Sequence, residues 1–284
     1  MLKRVLEKKL LHEYIEYLIN EERSHATIQK YSCDIRKFYE YIGKDNILNK
    51  DRVMSYKEEL QRKYKASSVN SIIIALNGFF EFNGWSELRL KTLKIQKNIF
   101  ISENKDLNEK EYMRLLNTAK SKNNERLVML MQSICSTGIR VSEHKYMTVE
   151  ALQKGYMTIQ NKGKIREIFF PIELKKGLIE YCKKRNICKG PIFITRNGKV
   201  LDRSNIYRMM QSLCQEAGIN QRKVCPHNLR HLFAVTYYSL DKDVIHLADI
   251  LGHSSVETTR IYLKSNGQEC QKVFNQMNLY RMTI

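Results

Sequence analysis

The chain has 284 residues, is 43% hydrophobic, and carries 49 Lys and Arg against 30 Asp and Glu, a formal net charge of +19. The apolar content excludes a disordered chain and suffices for two cores, while so large a charge points to a polyanionic partner, nucleic acid above all. No apolar run reaches membrane-spanning length, the first residues are amphipathic, and seven cysteines without a CxxC pair leave one over in any disulfide scheme, so the expectation is a cytoplasmic protein with no membrane partner.

The first hundred residues read as four helices. Leu6, Leu10, Tyr14 and Leu18 share one helical stripe, and Ile28, Tyr31, Ile35, Phe38 and Ile42 share a second. Val53, Tyr56 and Leu60 mark a third helix. Val69 to Phe82 form a more apolar fourth, with Ser67 or Ser68 as its expected N-cap. Gly43 and Gly84 stand where helices should stop. From residue 88 to 105 the apolar period fails and Arg89, Lys91, Lys94, Lys97 and Lys105 accumulate, the composition of a connector lying on a phosphate backbone. This divides the chain into a helical domain at 1–87, a basic linker at 88–105 and a second domain at 106–284.

The second domain opens with a helix capped by Asn108, with Glu111 returning the bond, and continues helically from Arg126 through Cys135 to a break at Gly138. Short strands follow at Tyr156–Gln160 and Ile165–Phe170, joined by the turn Asn161-Lys162-Gly163-Lys164, and a third is expected at Ile192–Thr195. Helical period then covers Ser204–Ala217, His227–Ser239, Val244–Leu251, Val256–Leu263 and a tail at Gln268–Leu279. The expected fold is mainly α with a small β-sheet.

Four short motifs occur in the second domain in fixed order: Ser136-Thr137-Gly138-Ile139-Arg140-Val141-Ser142-Glu143, Pro226-His227-Asn228-Leu229-Arg230-His231, Leu251-Gly252-His253, and Thr258-Thr259-Arg260-Ile261-Tyr262, with the Tyr nine positions after His253. Together they resemble the tyrosine recombinase family, the phage-type integrases and Xer-like resolvases. Within the first domain, Thr27, Lys30, Tyr31, Asp34 and Ile35 resemble the Thr-x3-Tyr-x2-Asp-Leu segment of that family's SAM-like core-binding domain. The resemblance runs from about residue 5 to residue 279. His144 and Val235 depart from its usual aliphatic and Thr residues, and no arm-binding domain is expected ahead of the first helix.

The resemblance implies that DNA strands are cleaved and rejoined through a 3′-phosphotyrosyl intermediate on Tyr262. Arg140 and Arg230 would grip the scissile phosphate with planar forks that Lys cannot reproduce. His227 would take the phenolic proton, its imidazole titrating near neutrality, and His253 would donate to a non-bridging oxygen. Lys162 would protonate the leaving 5′ oxygen; alignment on Lys-Gly selects it, and Lys164, on the same strand face, is the alternative. Thr27, Lys30, Tyr31, Arg89, Lys91, Lys94, Lys97 and Lys164 are the candidate DNA contacts, and His231 is expected to pack below the site.

The implied partners are double-stranded DNA carrying recombination sites, three further copies in a synaptic tetramer, and an accessory DNA-bending or excision factor; the implied location is the nucleoid. No cofactor is implied. There is no P-loop, and in His227-x3-His231 an Arg stands between the two residues that would have to hold zinc. The tail stripe Val273, Phe274, Met277 and Leu279 fits docking on a neighbouring subunit or folding back onto its own. Two readings compete: a type IB topoisomerase, which would relax supercoils without regard to sequence, and a DNA-binding regulator whose chemistry has decayed, which would form no covalent adduct.

Overall fold

The computed structural model describes residues 4–43, 45–95, 106–161 and 164–262. The chain divides into two compact units, 1–97 and 98–284. It is mainly helical, with two small antiparallel sheets among the described residues.

In the first unit, β1 (Arg4–Val5) pairs antiparallel with β2 (Ile47–Leu48) and ties the start of the chain to the turn after the second helix. The four expected helices are α1 (Lys8–Asn20), α2 (His25–Ile42), α3 (Lys50–Lys63) and α4 (Ala66–Phe82). Ser24 and Asn49 accept from the backbone N–H groups of Thr27 and Arg52 and so start α2 and α3. For α4 neither Ser67 nor Ser68 is the cap. The N-cap lies two residues before Ser67, at Lys65, with no side-chain bond there, so the start of the helix rests on packing. Phe38, Ile73, Leu76, Phe79 and Phe80 are fully buried and centre the core on α2 and α4.

Residues 88–93, which fall in the basic connector by composition, lie on this unit. Two asparagines of α4 act as a surrogate strand. Asn77 exchanges both of its amide bonds with the backbone of Leu90, each 2.8 Å, and Asn70 does the same with Leu93 at 2.7 and 2.9 Å. Leu88 and Leu90 thereby turn inward while Arg89 and Lys91 stay exposed.

In the second unit, α5 (Glu109–Ser121) carries the expected capping box of Asn108 and Glu111. α6 (Glu125–Thr137) runs through the core, packing on α5 and on later helices, with Leu127, Met131 and Ile134 buried. Next come α7 (Val149–Lys154), the hairpin β3 (Tyr156–Asn161) and β4 (Lys164–Phe169), and α8 (Ile172–Lys184). The hairpin register pairs Tyr156 with Phe169 and Asn161 with Lys164. Neither α7 nor α8 is among the elements expected from the sequence. α8 buries Leu174, Leu178, Tyr181 and Cys182, a stripe the sequence does display; six-residue α7 is too short to show one.

The segment Ile192–Thr195 is not a strand. It makes a single antiparallel bridge, Ile194 to Val200, because the turn at Gly198 returns the chain for only one residue pair, while Ile192 and Phe193 insert into the core. The helix expected at Ser204–Ala217 is two, α9 (Arg203–Gln211) and α10 (Cys214–Ala217). α11 (Pro226–Leu240) and α12 (Val244–Leu251) follow. The helix expected at Val256–Leu263 is α13 (Val256–Thr259) and a 3-10 turn at Arg260–Tyr262 within the described residues, and the tail expected at Gln268–Leu279 lies outside them. No helix among the described residues is long and apolar enough to cross a membrane.

Candidate active site

Arg140, His227, Arg230, His253 and Tyr262 of the second unit line one cavity of about 720 Å³. Gly138 ends α6 with φ +64°, and a Cβ there would lie 2.3 Å from the Phe233 ring, so only glycine lets the chain turn tightly against α11. Two residues later the Arg140 side chain spans the site: Nη1 donates to Glu143 Oε1 at 3.0 Å and Nη2 to the Gly252 carbonyl at 3.1 Å. Glu143 is buried, and its Oε2 accepts from the Arg140 N–H at 2.8 Å and from Arg166 Nη2, on β4, at 2.7 Å. Burial alone would raise its pKa, but the Arg140 amide and the Arg166 and Arg140 side chains outweigh burial and hold the carboxylate below its usual range.

Pro226 starts α11 at the first helical turn and the next turn carries Arg230 inward, 3% exposed. Its Nη1 donates to the Gly138 carbonyl at 2.7 Å, and its Nη2 donates to the Leu251 carbonyl at 2.6 Å and faces His253 Nε2 at 3.0 Å. Burial, then the Arg140 charge, push its pKa down to about 10, with Tyr262 and Glu143 opposing, so it stays charged at neutral pH. Gly252 closes α12 with φ +62°, and a Cβ there would lie 2.3 Å from Arg166 Nη1. His253 follows. Because Arg230 donates to Nε2, the ring proton belongs on Nδ1, donating to Thr259 Oγ1 at 2.8 Å. Burial, then Arg230, Arg140 and Arg166, push the His253 pKa down to about 4, leaving a neutral imidazole.

Tyr262 is 5% exposed and lies between two imidazoles: the His253 ring is stacked at 5.9 Å between centroids and the His231 ring meets it edge-on at 5.0 Å. His227 stands exposed at the lip of the cavity. Loss of surrounding water, then the Arg230 and Arg203 charges, lower its pKa against the pull of Asp106. His231 Nε2 lies 3.9 Å from Asp106 Oδ1, and burial holds its pKa down as well. Neutral His227 and His253 beside two charged arginines give a site with the chemistry to receive an anionic phosphate and a proton.

The cavity therefore gathers Arg140, His227, Arg230, His253 and Tyr262; Lys162 lies outside the described residues. It also holds Arg203, Tyr207 and Arg208 of α9, which sequence reasoning passed over. Their signal was the polar face of a helix whose other face buries Ile206 and Met210, and nothing in the sequence tied that face to the motifs.

In the first unit a groove of about 1010 Å³ is lined by Thr27, Tyr31, Arg89 and Lys91, with Arg23 and Asn77. Lys30 is not among its lining residues. That ammonium is held by the Asp34 carboxylate and the Ser71 carbonyl. Lys94 is exposed, Lys97 lies outside the described residues, and for Lys164 the backbone alone is described.

Comparison with known proteins identifies the family. Residues 105–269 match the phage integrase family and residues 11–86 match the phage integrase N-terminal SAM-like domain. The chain is 30% identical to the tyrosine recombinase XerA of Pyrococcus furiosus, over 100% of this chain and 99% of that protein. It is 24% identical to XerD of Staphylococcus aureus, over 95% and 98%. A lambda integrase dimer bound to a COC′ core site superposes with a TM-score of 0.74 at 17% identity, covering 92% of this chain and 96% of that one. XerH bound to palindromic difH substrate, a post-cleavage complex, gives 0.71 at 22% identity, covering 93% and 83%. Both domain profiles match in order and a relative matches end to end, so the chain belongs to the phage integrase family of tyrosine recombinases.

Proposed function

We propose that this protein is a site-specific DNA recombinase that cuts and reseals strands through a phosphotyrosyl bond on Tyr262. The observation that carries the reading is the position of Tyr262, packed between His253 and His231 on the wall of the cavity that holds both arginines. The scissile phosphate would enter against Arg140 and Arg230. The phenolic oxygen of Tyr262 attacks phosphorus, the P–O5′ bond breaks, and the 3′ end is left on the tyrosine. His227 takes the phenolic proton and Lys162 supplies one to the departing 5′ oxygen. Ligation is the reverse, and the conserved bond energy removes any need for ATP.

Arg230 Nη2 donates to the Leu251 carbonyl and faces His253 Nε2. Phosphate oxygens would compete for Arg230, and with the ring proton moved to Nε2 and the Thr259 hydroxyl donating to Nδ1, His253 would donate to a non-bridging oxygen. The relatives crystallised on DNA, including a lambda integrase tetramer on a Holliday junction, support double-stranded DNA as partner and a tetramer as the working assembly. The groove at Thr27, Tyr31, Arg89 and Lys91 is the proposed docking face of the first unit.

The test is a nicked suicide substrate resolved on denaturing gels. The parent is expected to leave a covalent protein–DNA adduct, and Tyr262→Phe is expected to bind the same DNA and leave none. An adduct on Tyr262→Phe would move the nucleophile elsewhere. A parent that never forms one would favour the decayed regulator, and relaxation of supercoils on any sequence would favour the topoisomerase.

A further inference from the structure

Arg166 belongs to the hairpin, yet its side chain serves the phosphate clamp. It leaves β4 opposite Ile159 and runs under the loop after α12, with only 13% of the side chain in solvent. There its Nη2 donates to Glu143 Oε2 at 2.7 Å, while the other oxygen of the same carboxylate accepts from Arg140 Nη1 at 3.0 Å. Its Nη1 occupies the space a Cβ on Gly252 would need, and the carbonyl of Gly252 is the acceptor for Arg140 Nη2. Arg166 thus touches both groups that aim Arg140: the carboxylate below it and the loop above it.

We propose that Arg166 is a positioning residue that couples the β3–β4 hairpin to the phosphate clamp, holding Glu143 and the Gly252 loop so that Arg140 presents its fork to the scissile phosphate. The proposal rests on the recombinase reading above. Glu143 is buried and faces Arg140 from its own turn, Arg166 from β4 and Arg230 from α11. A buried carboxylate facing charged partners depends on them to remain ionised. Removing Arg166 takes away a partner that lowers its pKa, so the carboxylate protonates at higher pH and releases Arg140 Nη1. The hairpin is also the segment whose turn carries Lys162. A displaced hairpin therefore disturbs the clamp as well as the proton donor.

Adduct formation on the nicked substrate is measured as a function of pH for the full-length parent, Arg166→Met and Arg166→Lys, with half-site binding and thermal melting measured alongside. Met keeps the length and bulk of the side chain and removes its charge. Arg166→Met is expected to bind as the parent does and to lose rate by roughly ten- to a hundredfold, the scale of a misaimed catalytic group. Its acidic limb should lie at higher pH than the parent's. Arg166→Lys is expected to return that limb to the parental position with part of the rate. A Met variant with parental rate and profile overturns the proposal, as does a Lys variant whose limb moves as far as that of Met. Should the Met variant not fold, Glu143→Gln removes the charge from the other side and is expected to lose rate as Met does, with the acidic limb that His227 sets left at the parental position; a parental rate overturns the coupling. Failure of the parent itself to form adduct would sink the recombinase reading, a separate outcome.

Discussion

Arg230 is 3% exposed and already donates to the Gly138 and Leu251 carbonyls, whereas the Arg140 side chain keeps 34% of its surface in solvent. The sequence presents them as an equivalent pair of phosphate ligands. In the fold Arg230 is also a strut joining the end of α6 to the end of α12. Lysine cannot span both carbonyls from one nitrogen, so Arg230→Lys leaves a buried acceptor unpaired, at a cost of about 1–3 kcal/mol. Arg230→Lys is therefore expected to lose adduct formation and to melt at lower temperature, and Arg140→Lys to lose adduct formation by orders of magnitude with its melting temperature near the parent's. Calorimetry beside the gel assay checks both. Equal melting temperatures for the two variants would show that the carbonyl bonds of Arg230 carry no stability.

Turns decide the site at the scale of elements. α6 and α12 end in left-handed glycines whose missing Cβ atoms admit Phe233 and Arg166, and β3 and β4 close on the turn that carries Lys162. The motif residues were legible in the sequence because their spacing is local and the glycines among them have a conformational reason. The α9 contribution was not: Arg203, Tyr207 and Arg208 reach the cavity through a tertiary approach that no periodicity encodes. The role of Arg166 was hidden likewise, since its partner Glu143 lies on the far side of the hairpin in sequence. α7 and the single bridge at Ile194 failed for a different reason, being too short for a period to register. Within the hairpin, Lys162 and Lys164 are separated by chemistry rather than pattern. A substrate with sulfur as the leaving 5′ atom departs without a proton, so Lys162→Ala is expected to be slow on the oxygen substrate and restored on the sulfur one. Restoration of Lys164→Ala instead would transfer the role.

Across the whole molecule, net charge +19 and two units with basic concave faces fit a protein whose affinity comes largely from phosphate contacts, and so falls steeply with salt. Binding one site and joining two are different tasks. In the proposed reading the first uses the groove at Thr27, Tyr31, Arg89 and Lys91 and the cavity at Arg140, and the second uses contact between copies. The apolar stripe Val273, Phe274, Met277 and Leu279 lies outside the described residues and is the segment of the chain proposed for that contact. Removing residues 268–284 is expected to leave half-site binding near the parent's and to reduce synaptic complexes and recombinant product, read on native gels and by product assay at one salt concentration. Binding and synapsis lost together, with a lower melting temperature, would instead make the stripe part of the subunit's own core.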